Sequence, residues 1–311
     1  MFLIVLYNII SLSLLIIIGA AARKMNIIND TVSAGLSGLL VNFALPSLII
    51  MAMQMEFTPE LLREGGLIFG IFVILHIILA ALGILFCKIL KIPRCRRGII
   101  LFCLTFGNVA FMGMPVIGSI YNDLGLFYTS MVNVVFCLLA PTMGLRQIKS
   151  GKIKEKEEIK GNKRKFKPNI AFLASILGMI LFLSSVRLPI FLSNALTYTA
   201  NLTTPLSMIM IGGLLAKNSI KSIKSLFDRG VIILSFIKLL VIPLVCLVIF
   251  RIFIDSEIVT GVMVYLIAMP APALAAIFAE QHKTEPQYAS GVVAVTTALS
   301  LITIPVISLF L

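Results

Sequence analysis

The chain has 311 residues, of which 59% are hydrophobic and only 13% are charged, and its mean hydropathy is +1.09. Soluble domains have about 45–50% apolar and about 25% charged residues, so this composition excludes a soluble protein and indicates a polytopic membrane protein. The formal net charge of +13 does not indicate a nucleic-acid partner, because basic loop residues set the orientation of membrane proteins. The first predicted partner is therefore the lipid bilayer.

The sequence predicts an all-α fold with ten transmembrane helices. A spanning helix needs about 20 mostly apolar residues. The predicted spans lie at about 2–22, 33–54, 65–87, 98–121, 124–145, 169–186, 190–216, 230–251, 258–279 and 287–310. The positive charges Arg23 and Lys24 follow the first span rather than precede it, so we expect an uncleaved span and not a signal peptide.

The basic residues are distributed unevenly between the predicted loops. With the amino terminus outside, the cytoplasmic loops hold 22 of the 26 Lys and Arg residues, and the outside holds Arg63, Arg187 and Arg251. This bias agrees with the positive-inside rule. We therefore expect a multi-pass protein of the cell (inner) membrane, with both termini outside and the basic loops cytoplasmic.

The chain divides into a first five-helix repeat at 1–147, a basic cytoplasmic linker at 148–168 and a second five-helix repeat at 169–311. Proline-containing sites recur in corresponding spans at offsets of 155 to 164 residues: Asn42–Pro46 with Asn201–Pro205, Pro115 with Pro270, and Pro141 with Pro305. Because five is odd, the second repeat enters the membrane from the opposite side. The sequence thus predicts an inverted repeat, which is typical of secondary transporters.

Two of the predicted spans contain residues that break helices. The fourth carries an amide, two glycines and a proline, and the ninth carries two prolines in Ala268–Ala273, so we expect unwound backbone at membrane depth in both. If the breaks cross, half-helix amino termini meet there and favour an anion, although a simple kink would need the same residues. The candidate substrate-binding residues at the breaks are Gly107, Asn108, Gly113, Met114, Pro115, Pro270 and Pro272.

Asn108 is the strongest candidate for chemistry, because an amide within a span must form hydrogen bonds. Its NH2 group can donate to a substrate carboxylate, while its oxygen accepts from substrate or ion. The alternative is that the side chain ties down the backbone freed by the break.

Four further polar residues lie within predicted spans. Lys238 is a buried charge that needs a partner, and it can pair with substrate, carry a proton or stabilise unwound carbonyls. Asn42 and Asn201 each precede a proline by one turn and either bind substrate or bond carbonyls that the proline leaves free. His76 either titrates near neutral pH or forms a helix contact.

The absence of other motifs narrows the function. None of the 13 acidic residues lies in the middle of a predicted span, which disfavours cation exchange through a carboxylate. There is no P-loop, HExxH or GxSxG motif, and the five cysteines show no metal-binding spacing. We therefore predict neither an enzyme nor a bound metal or cofactor.

Three stretches resemble the auxin efflux carrier family, which includes plant PIN-type carriers and bacterial malate and malonate permeases. They are Gly107–Pro115, Thr204–Gly213, and Met269–Pro272 together with Thr296–Pro305. The resemblance implies a scaffold of spans 1, 2, 6 and 7 and a mobile transport domain of spans 3–5 and 8–10. It also implies that spans four and nine cross at Pro115 and Pro270, that transport follows an elevator mechanism, and that homodimers are common.

The sequence therefore predicts a secondary active or facilitative transporter of a small organic anion. The expected substrate is a mono- or dicarboxylate such as malate or malonate, or an auxin-like weak acid. Two alternatives stay open: a sodium-coupled organic-anion symporter of the bile-acid-transporter type, and a non-transporting membrane sensor.

Overall fold

The computed structural model describes residues 2–151, 170–217 and 229–311. Within these ranges the chain consists of helices and their connections, with no strand, so the predicted all-α class is confirmed. Apart from residues 148–151, the predicted basic linker lies outside the described residues.

The described ranges contain 15 α-helices and four five-residue π-helical turns. The helices are α1 (Phe2–Lys24), α2 (Asp30–Leu39), α3 (Leu45–Ala52), α4 (Pro59–Ile89), α5 (Arg94–Thr105), α6 (Met114–Leu139), α7 (Leu145–Ser150), α8 (Ile170–Ser184), α9 (Ile190–Asn201), α10 (Thr203–Lys217), α11 (Arg229–Phe236), α12 (Ile242–Phe253), α13 (Glu257–Ile267), α14 (Leu274–Gln281) and α15 (Pro286–Ile307). The π turns are π1 (Leu40–Ala44), π2 (Val109–Gly113), π3 (Ala140–Gly144) and π4 (Ile237–Val241).

Three of these π turns end two residues before a proline, namely Pro46, Pro115 and Pro243. Proline has no N–H group, and its ring clashes with the carbonyl four residues earlier. The residue before each proline bonds five residues back instead, as in the bond from the Met114 N–H to the Val109 carbonyl. The prolines therefore widen these helices locally rather than end them.

Seven helical runs in the described ranges are long and apolar enough to cross a membrane. They are Val5–Lys24, Asp30–Ala52, Pro59–Ile89, Arg94–Ser150, Ile190–Ala216, Arg229–Phe253 and Pro286–Ile307. Two shorter apolar helices, α8 and α13, lie between them. The sequence count of ten exceeds this count of seven by three, because α8 and α13 are too short to be included and the run from Arg94 to Ser150 covers two predicted spans.

The long run from Arg94 to Ser150 folds back on itself. Its 57 residues would extend about 85 Å as one helix, against a hydrocarbon core of about 30 Å. Asn122 has non-helical backbone angles, with φ 52° and ψ −143°. A Cβ on Gly118 would lie 3.1 Å from the Leu126 side chain, although eight residues of straight helix span about 12 Å. The run is therefore a hairpin that turns at Asn122.

The helices pack into two apolar clusters. Helix α1 lies along α10, α3 contacts α8 and α9, and α4 contacts α5 and α6. Helix α13 contacts α6 and α12, and α14 packs on α15. Phe106 belongs to one cluster and Val109 to the other, so the polar break between these two residues lies where the clusters meet.

Candidate functional site

Both segments that carry helix-breaking residues contain non-helical backbone. Helix α5 ends at Thr105, and residues 106–108 separate it from π2. Phe106 is extended, with φ −107° and ψ 142°. Helix α13 ends at Ile267, and α14 begins only at Leu274. The end of one helix and the start of another therefore lie at each break.

The two breaks contact each other through their backbones. The Asn108 N–H donates to the Pro270 carbonyl oxygen at 2.8 Å. A Cβ on Gly107 would lie 3.2 Å from the Leu266 carbonyl oxygen and 3.4 Å from Met269 Cβ. Glycine at position 107 thus allows the close approach of two unwound segments that are far apart in sequence.

The two ends of the Asn108 side chain have different surroundings. Its Oδ1 atom accepts a bond from the Phe111 N–H at 3.4 Å and so caps π2. Its NH2 group has no hydrogen-bond partner among the described residues, although Asn108 is only 5% exposed. The oxygen therefore has the backbone-holding role, and the NH2 group is available to a ligand.

Lys238 lies in π4 and reaches the end of α5. Its Nζ donates to the Phe106 carbonyl oxygen at 2.9 Å, with a longer contact of 3.5 Å to the Leu104 carbonyl oxygen. The residue is 3% exposed, and no carboxylate in the described part of the chain forms an ion pair with it. These carbonyls lie at a helix carboxyl terminus, where a cation is favourable. Of the three roles that the sequence allows, the contacts match stabilisation of unwound carbonyls.

His76 approaches the same break from α4. Its Nδ1–H donates to the Phe72 carbonyl at 2.6 Å, and its ring centroid lies 5.0 Å from that of Phe106. The imidazole is buried, and its contacts match the predicted helix-contact role.

Thr296 of α15 holds the second break. Its Oγ1 accepts a bond from the Ala271 N–H at 3.1 Å and donates to the Val292 carbonyl at 2.8 Å. Sequence reasoning did not assign it a role. The available signal was a pair of threonines, Thr296 and Thr297, within an apolar span.

Replacing Thr296 with valine is expected to destabilise the protein by about 1–3 kcal/mol, because the buried Ala271 N–H loses its acceptor. Valine keeps the shape of threonine, so packing changes little. Thr296→Ser keeps the hydroxyl and is the matched control. Thermal unfolding of both purified variants in detergent checks the effect. A valine variant that is no less stable than the serine variant would contradict a stabilising role for this hydrogen bond.

Gln147 of α7 is a second residue that the sequence did not indicate. Its Nε2 donates to Thr105 Oγ1 at 3.2 Å, which places it at the end of α5. Its Oε1 is buried and has no hydrogen-bond partner in the described part of the chain. The side chain therefore adds an unused acceptor close to the first break.

The remaining candidates divide into two groups. Gly113, Met114, Pro115, Pro270 and Pro272 are buried at the two breaks. Asn42 and Asn201 are exposed, and no hydrogen bond among the described residues joins either to Asn108. The Asn42 amide donates instead to the Gly38 carbonyl at 2.8 Å. The structure therefore brings the break residues and Lys238 together, whereas no hydrogen bond in the described residues links either exposed asparagine to them.

Long apolar helices and paired backbone breaks define a multi-pass membrane protein of the transporter class. Residues 4–308 match the family described as membrane transport protein, and the chain belongs to that family. This match confirms the resemblance to the auxin efflux carriers. It favours transport over a non-transporting sensor.

Two archaeal relatives cover nearly the whole chain. An uncharacterized transporter of Methanocaldococcus jannaschii is 22% identical over 307 residues, or 94% of each chain. An uncharacterized transporter of Methanothermobacter thermautotrophicus is 25% identical over 315 residues, covering 98% of this chain and 97% of the relative. The similarity therefore extends across both halves of the chain.

Proposed function

We propose that the chain is a secondary transporter of small organic anions, with mono- or dicarboxylates as the substrate class. The observation that carries this proposal is the NH2 group of Asn108, which lies at a helix start and has no hydrogen-bond partner among the described residues. A carboxylate is the complement of such donors. In the described ranges no Asp or Glu is buried, so no buried acid there opposes an anion.

We also propose ten spans in two inverted repeats, and two features support this arrangement. The hairpin at Asn122 divides the run from Arg94 to Ser150 into two crossings. In such a repeat, span one corresponds to span six, and span two corresponds to span seven. A contact between spans one and seven should therefore recur between spans six and two. The corresponding helices, α1 with α10 and α8 with α3, both pack together. The bias of basic residues favours termini outside the cell membrane.

In the proposed elevator mechanism, the unit that carries the two breaks moves against a scaffold. Helices of the proposed scaffold contact one another, as α1 does α10 and α3 does α8. In the proposed transport domain, α4 contacts α5, and α12 contacts α13. An apolar cavity of about 300 Å³ between α4, α6 and α8 lies at the boundary, lined by residues that include Gly65, Phe127 and Met179. The cavity leaves space at this part of the boundary, which supports the proposal that one unit slides past the other.

Transport assays in proteoliposomes test the substrate class directly. We expect accumulation of labelled malonate, malate or a weak aromatic acid, and a rise in melting temperature with the transported acid. Malonamide, which has the shape of malonate without its charge, is the matched control and should neither stabilise the protein nor compete. Equal uptake of the neutral diamide, or folded protein without flux for any carboxylate, would contradict the proposal.

A further inference from the structure

The contacts of Lys238 indicate a role other than substrate binding. Its ammonium group bonds the Phe106 carbonyl at 2.9 Å and contacts the Leu104 carbonyl at 3.5 Å. Both oxygens lie at the end of α5, where the helix is interrupted. In secondary transporters, unwound carbonyls and half-helix carboxyl ends are the groups that coordinate the coupling Na⁺ or proton. Here a covalently attached cation occupies such a position.

The electrostatics of the break favour a positive charge. A helix carboxyl terminus carries about half a negative elementary charge, and unpaired carbonyls in a buried site are costly. Lys238 is 3% exposed, and no carboxylate among the described residues neutralises it. Its charge is therefore complemented by the backbone dipoles of α5.

We infer that the Leu104 and Phe106 carbonyl oxygens form a monovalent-cation site that Lys238 fills with its own ammonium group. Shortening Lys238 opens this site to a free cation such as Na⁺ or a small alkylammonium ion. The site deepens the proposed function, on which its consequence for transport rests: the anion moves without Na⁺, unlike in a sodium-coupled symporter. Cation binding itself can be measured without any substrate.

Lys238→Ala removes the ammonium and leaves room for an ion, whereas Lys238→Met fills the space of the side chain without a charge. Melting temperatures are measured in detergent at equal ionic strength in choline chloride, NaCl and n-butylammonium chloride. We expect the wild type to melt alike in choline and Na⁺. Lys238→Ala should melt lower in choline and recover saturably with Na⁺ or butylammonium. A free cation at ten times its Kd multiplies the folded-to-unfolded ratio by about 11.

Lys238→Met should melt lower in all three salts and show no recovery. Lys238→Gln is a second variant for the case in which Lys238→Ala does not fold, because its amide still donates to the carbonyls. It should be more stable than Lys238→Met. The inference is overturned if Lys238→Ala melts alike in all three salts, if Lys238→Gln is no more stable than Lys238→Met, or if Na⁺ raises the wild-type melting temperature.

Uptake assays keep this inference separate from the proposed function. Wild-type uptake of the labelled acid should be unchanged when choline replaces Na⁺. Cation-dependent melting of Lys238→Ala in a protein that moves no carboxylate would support the cation site and contradict anion transport. Sodium-dependent uptake by the wild type would overturn the site and leave anion transport intact.

Discussion

Asn108→Asp is expected to abolish anion transport without unfolding the protein. In the wild type, Asn108 Oδ1 accepts a hydrogen bond from the Phe111 N–H at 3.4 Å. Aspartate keeps this oxygen and caps a helix as well as asparagine does. It replaces the NH2 group with a negatively charged oxygen. Two like charges about 4 Å apart at an effective dielectric constant of about 20 repel by about 4 kcal/mol. A substrate carboxylate at Asn108 would therefore bind about a thousandfold more weakly.

The matched control for this substitution is Asn29→Asp. Asn29 makes the same kind of cap, accepting the Val32 N–H at 2.9 Å at the start of α2, but it is exposed. Uptake of the labelled acid and melting temperature are measured for both variants. We expect both to fold, and only Asn108→Asp to lose uptake. Wild-type uptake by Asn108→Asp would show that the asparagine serves the backbone alone.

The positions of the two breaks could be predicted from the sequence because their causes are local. Gly107 and Pro270 alter the backbone at their own positions, and non-helical residues follow Thr105 and Ile267 as expected. The turn at Asn122 is also local, since asparagine tolerates a positive φ. What the sequence did not reveal is that the Asn108 N–H bonds the Pro270 carbonyl, because that bond depends on how distant segments pack.

The distinction between local causes and long-range packing also applies to the polar side chains. Hydropathy alone predicts that Lys238 is buried, but its partners lie 132 and 134 residues away. Asn42 and Asn201 share a sequence pattern, and both are exposed. The π turns before Pro46 and Pro243 were likewise revealed only by the structure. Single-sequence patterns thus locate irregular backbone better than they locate its partners.

Gly212→Ala is expected to destabilise the protein strongly. A Cβ on Gly212 would lie 1.9 Å from the Ile16 carbonyl oxygen, and one on Gly19 would lie 2.0 Å from the Ile209 carbonyl oxygen. Helices α1 and α10 therefore pack backbone to backbone, which only small residues allow in a membrane. Since the obstacle is backbone and not a flexible side chain, the helices must separate, at a cost of about 3 kcal/mol or more.

Gly213→Ala is the matched control, because a Cβ at this neighbouring position would make only an ordinary van der Waals contact. The nearest atom to its Cβ would be Ile28 Cγ2 at 3.8 Å, and alanine favours a helix over glycine by about 1 kcal/mol. We expect Gly213→Ala to melt at or above the wild-type temperature, and Gly212→Ala to melt well below it or fail to yield folded protein. Equal melting of the two variants would contradict the close contact between α1 and α10. These helices belong to the proposed immobile scaffold. A folded Gly212→Ala protein should therefore be less stable than the wild type but keep its substrate affinity.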